Sequence, residues 1–202
     1  MSVKELLSGL NDRQRQAVET TKGPVLVLAG PGSGKTKVVT SRIAYLLEQG
    51  AAPEEILAIT FTKKAAKEMK ERVALLLGKY PKGLTICTFH ALGYKILRDN
   101  HRLAGLEPLF DIVTDREQDT IAKKIISQLP DDRTCMEAPE LLRRISLAKN
   151  LGISPDDLQG DADSYTQQCV SHVYAEYEKT LRERGAVDLD DLILRPLRDL
   201  FE

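Results

Sequence analysis

No apolar run in this 202-residue sequence approaches the length of a membrane-spanning helix, and residues 1–8 lack the continuous apolar core of a secretory signal. The expectation is a cytoplasmic protein with no membrane partner. Cysteine is scarce. Cys87, Cys135 and Cys169 are odd in number and widely spaced, which predicts neither a disulfide framework nor a CxxC metal site and fits a reducing compartment. Net charge is almost absent: 29 cationic and 30 anionic residues leave −1, so no global field attracts nucleic acid and any such binding needs a local patch. Internal repeats and low-complexity linkers are missing, no His/Cys/Asp group has metal-ligand spacing, and His101 and His172 stand alone on predicted helices. What remains is an ordinary composition, 42% hydrophobic, sufficient for one large or two small domains.

The stretch that organises the chain is an apolar run, Pro24, Val25, Leu26, Val27, Leu28, followed by Ala29, Gly30, Pro31, Gly32, Ser33, Gly34, Lys35 and Thr36. A strand, a glycine-rich turn and a helix in that order predict a phosphate-binding P-loop. The glycines let several backbone N–H groups converge on phosphate oxygens, which a Cβ at Gly32 or Gly34 would obstruct. Lys35 supplies a point charge to the outer phosphates, the Thr36 hydroxyl can ligate Mg²⁺, and the positive end of the following helix faces the anion. That helix carries the stripe Val39, Ile43, Leu46 and ends at Gly50.

Upstream, Asn11 and Gln14 have capping-box spacing. The Gln14 amide can close that box, or it can read the donor and acceptor edge of adenine. Downstream, Ile56 to Phe61 and Leu84 to Thr88 predict two further strands, with helices over 63–77 (stripe Ala66, Met69, Val73, Leu76) and from about Ala91. Alternating strands and helices predict an α/β parallel sheet. Beyond about Gly105 the strand signals stop. Helix starts at Thr114 and Glu117 (a capping box), at Pro139, and at Ser154 and Pro155, with a long helix from about Ser164 to Arg184, predict an all-helical insertion over 105–187.

Phe61, Thr62 and Lys63 follow one strand, and Thr88, Phe89 and His90 follow the next. Strand ends of this kind form ligand edges in α/β sheets, and aromatics beside hydroxyls and cations suit a single strand of nucleic acid. The alternative is that both phenylalanines are core and the lysines of 63–72 a solvated helix face. The acidic strand end that would hold Mg²⁺ opposite a P-loop is not found. Ala186 to Leu192, with Asp188, Asp190 and Asp191, alternates and reads as a helix start instead.

Taken together, these motifs resemble the UvrD/Rep/PcrA family of superfamily 1 DNA helicases. Residues 10–14 look like its adenine-reading Q motif and 29–36 like motif I. Residues 57–66 resemble motif Ia and 88–90 motif Ib, while 145–150 and 187–192 also look like family segments. The resemblance implies a RecA-like P-loop fold, incomplete here. Residues 1–104 would be the first part of subdomain 1A, 105–187 the helical subdomain 1B, and 188–202 a return into 1A. It further implies an ATP- and Mg²⁺-dependent 3′-to-5′ helicase of DNA repair or replication. Single-stranded DNA and single/double-strand junctions would be its partners, with DNA-repair proteins as further candidates. Lys35 would be catalytic. Gln14, Gly30, Gly32, Ser33, Gly34, Lys35 and Thr36 would hold the nucleotide, Thr36 the metal, and Phe61, Thr62, Lys63, Thr88, Phe89 and His90 the DNA. Lys37 stands where the family usually has an arginine. Motif II and the second motor domain are not found, so the expectation is an N-terminal portion that is inactive alone, with an Asp-Glu strand on the order of 20–40 residues beyond Glu202. A small nucleotide kinase and a non-catalytic DNA-binding module are the alternatives.

Overall fold

The computed structural model describes residues 3–129, 136–160 and 165–201. Its contacts divide the chain into two compact units, Met1–Phe89 and His90–Glu202. Helices alternate with short parallel strand pairs, and no helix among the described residues is long and apolar enough to cross a membrane.

The first unit contains α1 (Val3–Ser8), α2 (Asp12–Glu19), α3 (Lys35–Glu48), β1 (Leu57–Thr60), α4 (Lys63–Leu77) and β2 (Thr85–Thr88). Local chemistry sets the helix starts. The Asn11 side chain accepts from the Gln14 N–H at 2.9 Å, while Gln14 Oε1 accepts from the Asn11 N–H at 3.1 Å, a complete capping box. Thr62 caps α4 by accepting from the Ala65 N–H at 3.1 Å. β1 and β2 pair in parallel, and α3 and α4 pack on them through Ile43, Met69, Val73 and Ile86. Burying those side chains supplies the main stabilisation, about 1.5–3 kcal/mol for each large aliphatic group.

Two expectations fail in this unit. Residues 24–29 form no strand and join no ladder, and Leu26 and Leu28 remain 84% and 87% exposed. A strand exists through its pairing, and none of the described strands lies against this run. The buried stripe of α3 runs through Val38 and Ile43, whereas Val39 is 39% exposed. Adjacent valines differ by only about 100° around a helix, so apolar spacing alone did not separate them.

The second unit comprises α5 (Phe89–Asp99), which begins at the last residue of the first, then β3 (Asp111–Ile112), α6 (Asp115–Ile126), α7 (Ala138–Asn150), α8 (Pro155–Gly160), α9 (Tyr165–Glu183), β4 (Ala186–Val187) and α10 (Asp191–Phe201). Thr114 and Glu117 form the expected capping box, and Ser154 caps α8 by accepting from the Asp157 N–H at 3.2 Å. Val170, Val173, Tyr177 and Leu181 of α9 bury together with Ile121, Leu141 and Ile145. A second cluster joins Leu97, Phe110, Val187 and Leu192, with the Tyr94 and Phe110 rings 5.2 Å apart.

The all-helical expectation over 105–187 is corrected by the parallel pair β3–β4, in which Asp111 faces Ala186 and Ile112 faces Val187. Strands of two residues have no periodicity to read. Cysteine also departs from expectation: Cys87 keeps its thiol, but Cys169 is disulfide-bonded, because pairing follows approach in space rather than spacing. Cys135 lies outside the described residues. His172 is exposed on α9, and His101 sits just past α5 with Nδ1 3.0 Å from the Arg98 carbonyl oxygen.

Candidate functional site

The turn at residues 30–34 delivers the chain into α3. Gly32 (φ 75°) and Gly34 (φ 85°) occupy the left-handed region, where any other residue is strained. Gly34 is also the N-cap of α3 and contributes no side-chain hydrogen bond, so the first N–H groups of the helix keep their capacity to bind an anion. A Cβ placed on Gly30 or Gly32 meets nothing within 4 Å, which describes an open cradle. Lys35 reaches back over this cradle, donating from Nζ to the Gly30 carbonyl at 2.7 Å and the Ala29 carbonyl at 3.1 Å. Two carbonyls thus hold the ammonium beside the glycine turn. The glycine turn, the uncapped helix terminus and the lysine are together chemically suited to receive an anionic phosphate group.

Gln14 reaches the same loop. Its Nε2 donates to the Ser33 carbonyl at 3.0 Å, and a Cβ on Gly34 would lie 2.9 Å from that nitrogen. The amide therefore closes its capping box and touches the loop at once, retaining one N–H and one oxygen lone pair for a ligand such as adenine. Lys37 is committed elsewhere, donating to the Gly9 carbonyl.

At the other edge of this unit, the β1–β2 register pairs Thr60 with Thr88, so the residues that follow leave the sheet side by side. Phe61 is 89% exposed and Phe89 52% exposed, which excludes the reading of both as core. Lys63 and Thr62 are exposed as well, at the start of α4. Thr88 is buried, so it underlies this edge instead of presenting its hydroxyl there; it stands in the inward register of β2 with Ile86. His90 is exposed in the first turn of α5.

Residues 10–202 match the family described as the UvrD/REP helicase N-terminal domain. The chain belongs to that family. It is 43% identical over 204 residues to the ATP-dependent DNA helicase PcrA of Leuconostoc citreum, covering 100% of this chain and 27% of that protein. To the proteins of the same name from Bacillus subtilis (strain 168) and Staphylococcus aureus (strain Mu50 / ATCC 700699) the identities are 44% and 42%, over 98% of this chain and 27% of each relative. The chain thus spans about a quarter of the length of these relatives.

One constellation in this UvrD/REP domain escaped sequence reasoning. Lys149 of α7 is fully buried, and its Nζ lies 2.6 Å from Glu178, 2.7 Å from Asp188 and 2.9 Å from Asp191. Asp188 and Asp191 cap each other: the Asp191 N–H donates to Asp188 at 2.9 Å, and the Asp188 N–H donates to Asp191 at 3.1 Å. The Tyr177 hydroxyl donates to Asp188 at 3.1 Å, and Nζ lies 5.4 Å from the centre of its ring. Burial works against the Lys149 charge, yet the three carboxylates outweigh it and hold the ammonium above its ordinary range. Burial likewise pushes the Asp191 carboxyl up to about 6, against the pull of Lys149. Among the described residues these three carboxylates are the only group spaced to hold a metal ion, and the ammonium already fills it. The signal lay in the helical period: Lys149 follows Leu141 and Ile145 at four-residue steps on the buried face of α7.

Proposed function

We propose that the chain is the N-terminal portion of an ATP-driven 3′-to-5′ DNA helicase that moves along single-stranded DNA and separates duplexes at single/double-strand junctions. The observation that carries this reading is the open Gly30–Thr36 cradle, with Lys35 poised over it and the uncapped start of α3 behind it. The names of the relatives supply the reaction class, ATP-dependent DNA unwinding. On this reading the P-loop segment belongs to a RecA-like fold, with 1–104 and 188–202 in subdomain 1A and 105–187 forming 1B.

Lys35 serves as the catalytic cation. Gly30, Gly32, Ser33, Gly34 and Thr36 cradle ATP, Thr36 meets Mg²⁺, and Gln14 reads adenine. Phe61, Thr62, Lys63, Phe89 and His90 take up single-stranded DNA by stacking and phosphate contact, with Thr88 supporting them from beneath. A nucleotide kinase would leave the exposed Phe61 and Phe89 without a role. The protein works in the cytoplasm, in DNA repair or replication beside repair proteins. Turnover is assigned to the longer protein, since the chain spans 27% of the relatives named for that activity.

Calorimetric titration of ATP·Mg²⁺ into the chain and into Lys35→Ala tests the cradle. Binding that weakens by roughly tenfold or more in the variant, the scale of one charge-assisted contact, supports the reading. Equal affinity in both proteins overturns it.

A further inference from the structure

Helix α5, whose first turn carries His90, meets α10 at one point without side chains between them. A Cβ built on Gly93 would lie 1.7 Å from the Leu192 carbonyl oxygen and 2.8 Å from its carbonyl carbon. Both atoms are backbone, so neither can rotate away, and only glycine permits this approach. One turn further along α5, Leu97 packs with Val187 and Leu192 in the same buried cluster. Leu192 directly follows Asp191, and the first turn of α10 is fixed by the reciprocal Asp188–Asp191 cap. That cap is in turn held by Lys149 of α7, which also grips Glu178 of α9. Consecutive contacts therefore run from α7 and α9 to the turn of α5 that bears His90, made by backbone atoms, buried apolar side chains and the Lys149 ion cluster.

We propose that Gly93 and Lys149 are positioning residues: through Leu192 and the Asp188–Asp191 cap they set where α5 presents His90 to single-stranded nucleic acid. The ligand in this statement rests on the function proposed above; the linkage itself rests only on the contacts. Neither residue touches the ligand. The device is an ionic clasp coupled to a backbone contact, and both halves resist gradual deformation: the clasp loses a buried charge partner if it opens, and the contact admits no intervening atom.

The test uses the 202-residue chain in wild-type form and as Gly93→Ala, Lys149→Met and Asp191→Asn, with Ile125→Val as a control in the other cluster of the second unit. Two readouts are taken on each folded protein: the ¹⁵N and ¹H imidazole resonances of His90 across pH, and the affinity for a fluorescent oligo-dT strand. The expected result is that the three variants shift the His90 resonances and weaken oligo-dT binding by roughly fivefold or more, the scale of a displaced base contact, while Ile125→Val lowers the melting temperature and moves neither readout. Should Gly93→Ala not fold, Asp191→Asn, which keeps the shape of the side chain, decides the matter. Unchanged His90 resonances in the folded variants overturn the positioning role. Shifted resonances in a chain that binds no oligo-dT uphold the linkage and refute the nucleic-acid reading instead.

Discussion

The amide of Gln14 donates to the carbonyl of Ser33 at 3.0 Å, tying the first turn of one helix to the glycine turn that opens the next. Gln14→Ala removes this bond and the capping contact to Asn11 together. The expected loss is about 1–2 kcal/mol of stability by chemical denaturation, at about 1 kcal/mol per bond. If Gln14 also reads adenine as proposed, a longer protein containing this chain and bearing the substitution discriminates less between ATP and GTP. A stability loss with the preference intact assigns Gln14 to capping alone.

Phe61 contributes little to the core, being 89% exposed. Phe61→Ala is expected to leave stability within about 0.5 kcal/mol of wild type and to weaken single-stranded DNA binding by about 1–3 kcal/mol. Fluorescence anisotropy with oligo-dT, alongside a thermal melt, separates these effects. A large drop in melting temperature with unchanged affinity would return Phe61 to a packing role.

Removing the Lys149 ammonium leaves Glu178, Asp188 and Asp191 facing one another in the interior. Lys149→Ala is expected to cost about 3–5 kcal/mol, the range for breaking a buried ion pair from one side. Replacing Lys149 by Met together with Asp188→Asn and Asp191→Asn recovers part of that loss, because fewer unpaired charges stay buried. Urea unfolding of the series measures both.

Asp191 makes the second unit sensitive to acid in an unusual direction. Its carboxyl is raised to about 6 by burial, above the ordinary value of 3.8, so the folded chain binds its proton more tightly than the unfolded chain does. The stabilisation linked to that proton is complete below about 4 and is lost as pH rises through about 6. The groups facing it are Lys149, Asp188 and Glu178. Glu117 and Asp157, held low by their caps, work in the opposite sense as pH falls. Melting temperatures of wild type and Asp191→Asn between pH 4 and 7 should therefore diverge, with the variant gaining relative to wild type as pH rises. Parallel curves would show that Asp191 titrates normally.

What was legible in the sequence is what short-range chemistry determines. The loop of Gly30 to Thr36 declares its conformation through its own glycines, and Asn11 with Gln14, Thr114 with Glu117 and Ser154 with Asp157 place helix starts within four residues. The phenylalanine edge was legible as a position, because strand ends can be counted, but not as a surface: exposure of Phe61 depends on what packs nearby. Long-range events were hidden. Lys149 lies 39 and 42 residues from Asp188 and Asp191, so its isolation on an apolar helix face was visible while its partners were not. The run at 24–29 reads as a strand by composition, yet composition carries no information about whether a neighbour is present to pair with it.

That run also governs how the purified chain behaves in a tube. Residues 25–28 lie outside any ladder with two leucines open to water, an apolar run of the composition that pairs with a second chain. Self-association should therefore rise with concentration and nucleate at this short segment, and Leu26→Lys or Leu28→Lys should raise solubility without touching any of the buried clusters, much as charged side chains blunt exposed sheet edges in natural proteins.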